Sequence, residues 1–76
     1  MIDYVKMMVR LKNLRDKSGI SQKALAKKIG VTHYAISNYE RGISVPRIEI
    51  ADDIADYFGV SLDWLTGRTD KKEVNG

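Results

Sequence analysis

The sequence predicts an all-α fold, a compact domain of five helices. Three observations carry that prediction. Val, Ile and Thr nowhere alternate over the length of a strand, apolar residues recur at spacings of three and four, and capping Ser or Thr before three of the periodic runs (Ser21, Thr32, Ser61) and Gly after every run mark their ends.

The first helix is expected from near Asp3 to about Lys17, with Ser18-Gly19 ending it. Tyr4, Met7, Leu11 and Leu14 fall on one stripe. In the second, Ser21 is the N-cap, Ala24, Leu25, Ala26 and Ile29 supply the apolar positions, and Gly30 closes the end. The third starts at Thr32 and runs to about Arg41 before Gly42. The fourth takes Pro46 at its first position, where a missing amide hydrogen costs nothing, and buries Ile48, Ala51, Ile54, Ala55 and Phe58 before Gly59. Ser61 caps a short fifth helix over Leu62–Leu65, stopped by Gly67. Residues 1–67 thus form the domain, and 68–76 are expected as a flexible polar tail. The expected core is Leu11, Leu14, Leu25, Ile29, Val31, Ile36, Ile54, Phe58, Leu62 and Leu65, with Trp64 plugging its base or, as the alternative, sitting at a subunit contact.

Composition removes several function classes. Seventy-six residues make one small domain, able to bury only about 60–65% of its unfolded surface. There is no cysteine and one histidine, so neither a disulfide framework nor a multi-ligand zinc site is expected, and no metal or other cofactor. No apolar run approaches the ~20 residues of a membrane span, and the first residues lack a secretory pattern, so an intracellular protein without membrane contact is expected. No catalytic constellation or phosphate-binding glycine loop is present, and the chain is not expected to be an enzyme.

Charge is polarised along the chain. Residues 1–42 hold nine basic and three acidic side chains, and residues 43–76 hold four and seven. A basic half of this kind suits a polyanion.

The strongest signal lies between Gln22 and Glu40. Two short helices flank a tight Gly30-Val31-Thr32 turn, Ala26 offers a small side chain at their crossing, and Leu25, Ile29, Val31, Ile36 and Tyr39 are apolar where the pair faces inward. With Leu11-x-x-Leu14-Arg15, Ile20-Ser21-Gln22-x-x-Leu25-Ala26, Ile36-Ser37-x-Tyr39-Glu40-Arg41-Gly42, Pro46 and Phe58-Gly59-Val60-Ser61-Leu62-Asp63-x-Leu65, the sequence resembles the phage Cro and repressor type of helix-turn-helix protein over roughly residues 7–67. The resemblance implies a lambda-repressor-like five-helix domain that binds double-stranded DNA with its third helix in the major groove, as a cytoplasmic prokaryotic or phage transcription regulator.

The third helix has a face suited to that role, with His33, Tyr34, Ser37, Asn38 and Arg41 opposite Ala35, Ile36 and Tyr39. A recognition helix reads bases mainly from its N-terminal part, so Thr32, His33, Tyr34, Ser37 and Asn38 are the candidate base contacts. Asn38 suits a bidentate pair with adenine. The resemblance assigns Gln22 to the DNA backbone and pairs Arg15 with Glu40, which would turn Arg15 towards phosphate as well. Lys23, Arg41 and Arg47 are further candidate phosphate contacts. The loop after Gly42 departs from the family by carrying no charge, Ile43-Ser44-Val45, so its phosphate contacts are expected from backbone amides, Ser44 and Arg47.

A homodimer on a near-palindromic operator is expected to meet through Ile43, Val45, Ile50 and Tyr57. Ile2, Val5 and Val9 form a second apolar stripe on the first helix, opposite the core stripe, suited to a further protein partner. Two other uses of the same fold stay open on sequence: an antitoxin or restriction-modification controller with a dedicated protein partner, and an interaction module that no longer reads bases.

Overall fold

The computed structural model describes residues 1–73, and Val74, Asn75 and Gly76 lie outside the described residues. Its elements are α1 (Tyr4–Ser18), α2 (Gln22–Ile29), α3 (His33–Arg41), α4 (Ile48–Phe58) and α5 (Leu62–Leu65). Among the described residues there is no strand, and no helix is long and apolar enough to cross a membrane.

Side-chain caps define most of the helix starts. Asp3, Ser21, Thr32 and Ser61 each accept a hydrogen bond from the amide three residues on, satisfying donors that the first helical turn leaves open. The exception is α4. Arg47, with extended backbone (φ −61°, ψ 160°), is its N-cap and makes no side-chain cap, so Pro46 lies before the helix rather than at its first position.

α2 packs chiefly against α3, α1 against α3 and α5, and α4 against α5. Met7, Leu11, Leu14, Leu25, Ala26, Ile36, Ile54, Ala55, Val60 and Leu65 form the buried cluster where these elements meet. Ile29, Val31, Phe58, Leu62 and Trp64 close it from the edge, half-buried. Two stripe positions fall outside it. Tyr4 is 58% exposed because the first turn of α1 overhangs the core and meets only the shallow groove beside Val45 and Pro46. Ile48, the first residue of α4, is also exposed.

Part of the segment expected as a flexible polar tail, residues 68–72, returns to the body, and the rest of that expectation, residues 74–76, lies outside the described residues. Arg10 donates through Nη1 to the carbonyls of Trp64 and Thr69 and through Nη2 to Asp70 at 2.8 Å. The Ser61 amide donates to the Lys72 carbonyl at 3.0 Å. Most of these side chains remain in water, but the backbone of residues 69–72 is strapped across α1 and α5. The two sides of the domain also close directly on each other. The Asp3 amide donates to the Thr66 carbonyl at 2.8 Å, and a Cβ on Gly67 (φ +79°) would fall 2.6 Å from that of Asp3. Only glycine fits there.

Candidate nucleic-acid interface

The site begins with the turn between α2 and α3. Gly30 takes φ +87°, the left-handed conformation that lets the chain leave α2 after one residue, while its amide and that of Val31 both donate to the Ala26 carbonyl. Val31 then packs on the core, and Thr32 accepts from the Ala35 amide at 3.2 Å to start α3. Buried Leu25, Ala26 and Ile36 fix the pair of helices against each other.

This packing sets which side chains face outward. His33 and Tyr34 are exposed, Tyr34 at 70%, and their rings stack with centroids 4.1 Å apart and planes inclined by 32°. Ser37 and Asn38, one turn on, are half-buried, and Arg41 at the end of the helix is exposed. An open cleft of about 390 Å³ separates Lys23 and Lys27 of α2 from Thr32, His33 and Tyr34 of α3. Donors, acceptors and aromatic faces thus lie beside two cations.

Behind this face, one buried carboxylate ties three helices together. Glu40 of α3, its side chain 4% exposed, accepts from Arg15 Nε at 2.6 Å and Nη2 at 3.0 Å in a two-pronged pair with α1. It also accepts from Gln22 Nε2 at 3.1 Å, at the first position of α2. Arg15 Nη1 donates to the Ile20 carbonyl at 3.0 Å, and Asp16 stands 3.3 Å from Nη2. The hydrogen bond to Glu40 pushes the Arg15 pKa further above its already high value, burial opposes it, and the charges of Glu40 and Asp16 add to the rise.

The sequence-derived site residues separate accordingly. Thr32, His33, Tyr34, Ser37, Asn38 and Arg41 share the outer side of α3, with Lys23 across the cleft. Arg15 does not join them, because all three of its guanidinium nitrogens face protein acceptors. Gln22 is half-held, with one amide hydrogen given to Glu40 and the other free. Two of the loop amides, those of Ile43 and Ser44, are engaged internally, donating to the Asn38 carbonyl at 2.9 and 3.3 Å and closing the end of α3, and Ser44 itself is exposed. Arg47 stays exposed, 3.9 Å from Glu49.

Of the apolar surface positions, Ile43, Val45 and Tyr57 are exposed, and so are Val5 and Val9. Ile50 and Ile2 are not: both are half-buried against the core. Ile2 directly precedes the capping Asp3, the position from which an apolar side chain folds back over the first turn of its helix. The bond from Gln22 to Glu40 was missing from the sequence reading, and no local pattern announces it.

The sequence profile of the helix-turn-helix family matches residues 11–65. The chain belongs to that family. It is 33% identical over 66 residues to the HTH-type transcriptional regulator ImmR of Bacillus subtilis, covering 87% of this chain and 52% of ImmR. It is 37% identical over 57 residues to an uncharacterized HTH-type transcriptional regulator of Methanocaldococcus jannaschii, covering 75% of this chain and 86% of that one. This helix-turn-helix chain therefore spans about half the length of ImmR and most of the archaeal protein. Among solved structures, the P22 c2 repressor in complex with a synthetic operator aligns with a TM-score of 0.74 and 36% identity, over 78% of this chain and 89% of that one. A chain of the SinR–SinI complex aligns with a TM-score of 0.71 and 30% identity, over 78% of this chain and 58% of that one.

Proposed function

We propose that this helix-turn-helix domain is a sequence-specific regulator of transcription, a Cro-like repressor that binds duplex DNA through the outer side of α3. The observation that carries this reading is the pairing of that polar, aromatic side with a rigid support. Ile36 and Leu25 lock α3 to α2, while Glu40 fastens α3 to both Arg15 and Gln22. His33, Tyr34, Ser37 and Asn38 read bases, and Thr32 contributes its hydroxyl hydrogen beside its capping role. Lys23, Arg41, Arg47, the Ser44 hydroxyl and the free amide hydrogen of Gln22 contact phosphate. Arg15 acts behind them, as the residue that positions Gln22 and Glu40. The similarity in fold to the P22 c2 repressor, solved in complex with a synthetic operator, supports the reading as a DNA-binding repressor.

Two copies meet through Ile43, Val45 and Tyr57 on a near-palindromic site, with half-site centres ~34 Å apart, one turn of the duplex. Selection of binding sites from random duplexes tests the proposal. An enriched two-fold motif is expected. Asn38→Ala should then lose about 1–3 kcal/mol on the selected site and relax one base pair per half-site. Lys23→Ala should weaken all duplexes alike and flatten the salt slope by about 0.9 per lost contact. Recovery of no motif, with binding that vanishes at physiological salt, would overturn it.

A further inference from the structure

The strap after α5 carries Lys72 back over the indole of Trp64, its ammonium 5.2 Å from the ring centroid, while Arg10 of α1 lies over the same indole at 4.6 Å. Lys72 is held there by its backbone as well as by the ring. Its carbonyl accepts from the Ser61 amide at 3.0 Å, and the preceding carbonyl accepts from Ser61 Oγ at 3.3 Å. Between strap and helix lies a cleft of about 90 Å³ lined by Arg10, Asn13, Leu14, Lys17, Trp64 and Lys72. Residues 10, 13 and 17 share one side of α1, so that side alone supplies a guanidinium, a carboxamide and an ammonium.

Among the described residues no carboxylate lines this cleft. Asp70 pairs with Arg10 at 2.8 Å and is shared with Lys6 at 3.4 Å, without entering the lining. Among the described residues neither Lys17 nor Lys72 has an acidic partner within 4 Å, while Asp52 and Asp56 line a separate cleft with Asp63. Two ammonium groups lining one cleft beside a guanidinium give it a positive potential, which an anion seated there offsets. Trp64 walls one side, and Arg10 adds positive charge while its terminal nitrogens stay on the carbonyls of Trp64 and Thr69 and on Asp70. The two ammonium groups and the Asn13 carboxamide provide donors for an anion's oxygens. The space admits one small tetrahedral oxyanion and is too small for a nucleoside. We propose that this cleft binds a small phosphate-class anion, inorganic phosphate or the head of a phosphate monoester, at a site that shares no residue with the α2–α3 face.

Trp64 is the single tryptophan of the chain and reports directly on the cleft. Titration of the full chain with sodium phosphate at constant ionic strength should give a saturable change in Trp64 fluorescence and shift the Asn13 side-chain amide resonance. Sodium chloride at the same ionic strength should do neither. Lys17→Ala and Lys72→Ala should each weaken phosphate about tenfold, the loss of one charge-assisted hydrogen bond, while leaving the melting temperature and the affinity for duplex DNA unchanged. A response that chloride reproduces, no saturable response, or lysine variants that titrate as the parent does would overturn the proposal. So would lysine variants that lose affinity for duplex DNA in a protein insensitive to phosphate, since those cations would then serve the DNA backbone.

Discussion

Arg10 and Arg15 stand five positions apart on α1, and both side chains are 15% exposed, yet they bind acids of opposite character. The partner of Arg15, Glu40, is 4% exposed and is shared with a third helix, whereas the partner of Arg10, Asp70, is 82% exposed on the strap. With the cation held constant, the burial of the anion decides the energetics. A carboxylate in water is screened and free to leave, while one inside the domain must keep its partners or lose the fold's tolerance of its charge. The first kind of pair fastens an edge, and the second organises the binding face.

Four experiments test that contrast. Glu40→Ala leaves Arg15 without its main partner and Gln22 without an acceptor, and should destabilise the domain by about 3 kcal/mol, read by urea unfolding. Arg15→Lys keeps the charge but loses the two-pronged geometry and the bond to the Ile20 carbonyl, and should lose about 1–2 kcal/mol in the same measurement. If it unfolds as the parent does, the planar fork is irrelevant and the comparison reduces to charge alone.

Gln22→Ala should cost about 1 kcal/mol or less in stability, but should weaken every duplex alike in a binding titration, because it removes a phosphate donor and not a base reader. The smallest effect belongs to Asp70→Asn, a melting shift near the detection limit at neutral pH that vanishes in high salt. Hydrogen bonds from Arg10 and then Lys6 hold the Asp70 carboxyl below the usual carboxylate range. Its contribution is therefore present above the unfolded-state value and disappears as acid protonates the folded form, below about pH 4. The raised pKa of Arg15 acts the other way: its contribution is complete at all ordinary pH values and lost only in strong alkali. Parent and Asp70→Asn melting curves should converge on acidification, and curves that diverge would contradict the assigned sign.

The order and ends of the helices were legible because their signals are local. Ser21, Thr32 and Ser61 before periodic runs, and Gly30, Gly42 and Gly59 after them, each act within four residues. Where the deciding interaction is distant, sequence reading fails. The strap's bonds join Arg10 to Thr69 and Asp70, and polar residues without periodicity give no sign of such docking. Ile50 lies off the apolar stripe of α4, but the core wraps wider than a stripe, so a helical wheel places it outside, whereas Ile2 precedes the Asp3 cap and is not on the wheel of α1 at all. Arg47 looks like an ordinary residue after Pro46, yet its extended backbone makes it the N-cap and starts α4 only at Ile48. For the candidate site, the polar side of α3 follows from helical spacing alone. The inward turn of the Ile43 and Ser44 amides and the Gln22–Glu40 bond do not, since both depend on how α3 ends against its neighbours.

The hydrogen bond from the Asp3 amide to the Thr66 carbonyl also has a kinetic consequence. The α2–α3 pair needs only a short loop to form, whereas the Asp3–Thr66 seam joins opposite ends of the described chain and carries the larger loop-closure entropy. That seam is expected to close after the transition state for folding, with substitutions that weaken it showing φ-values near zero. Weakening it therefore leaves the folding rate almost untouched and accelerates unfolding, so the lifetime of the native state is governed at the place where the two ends of the domain meet.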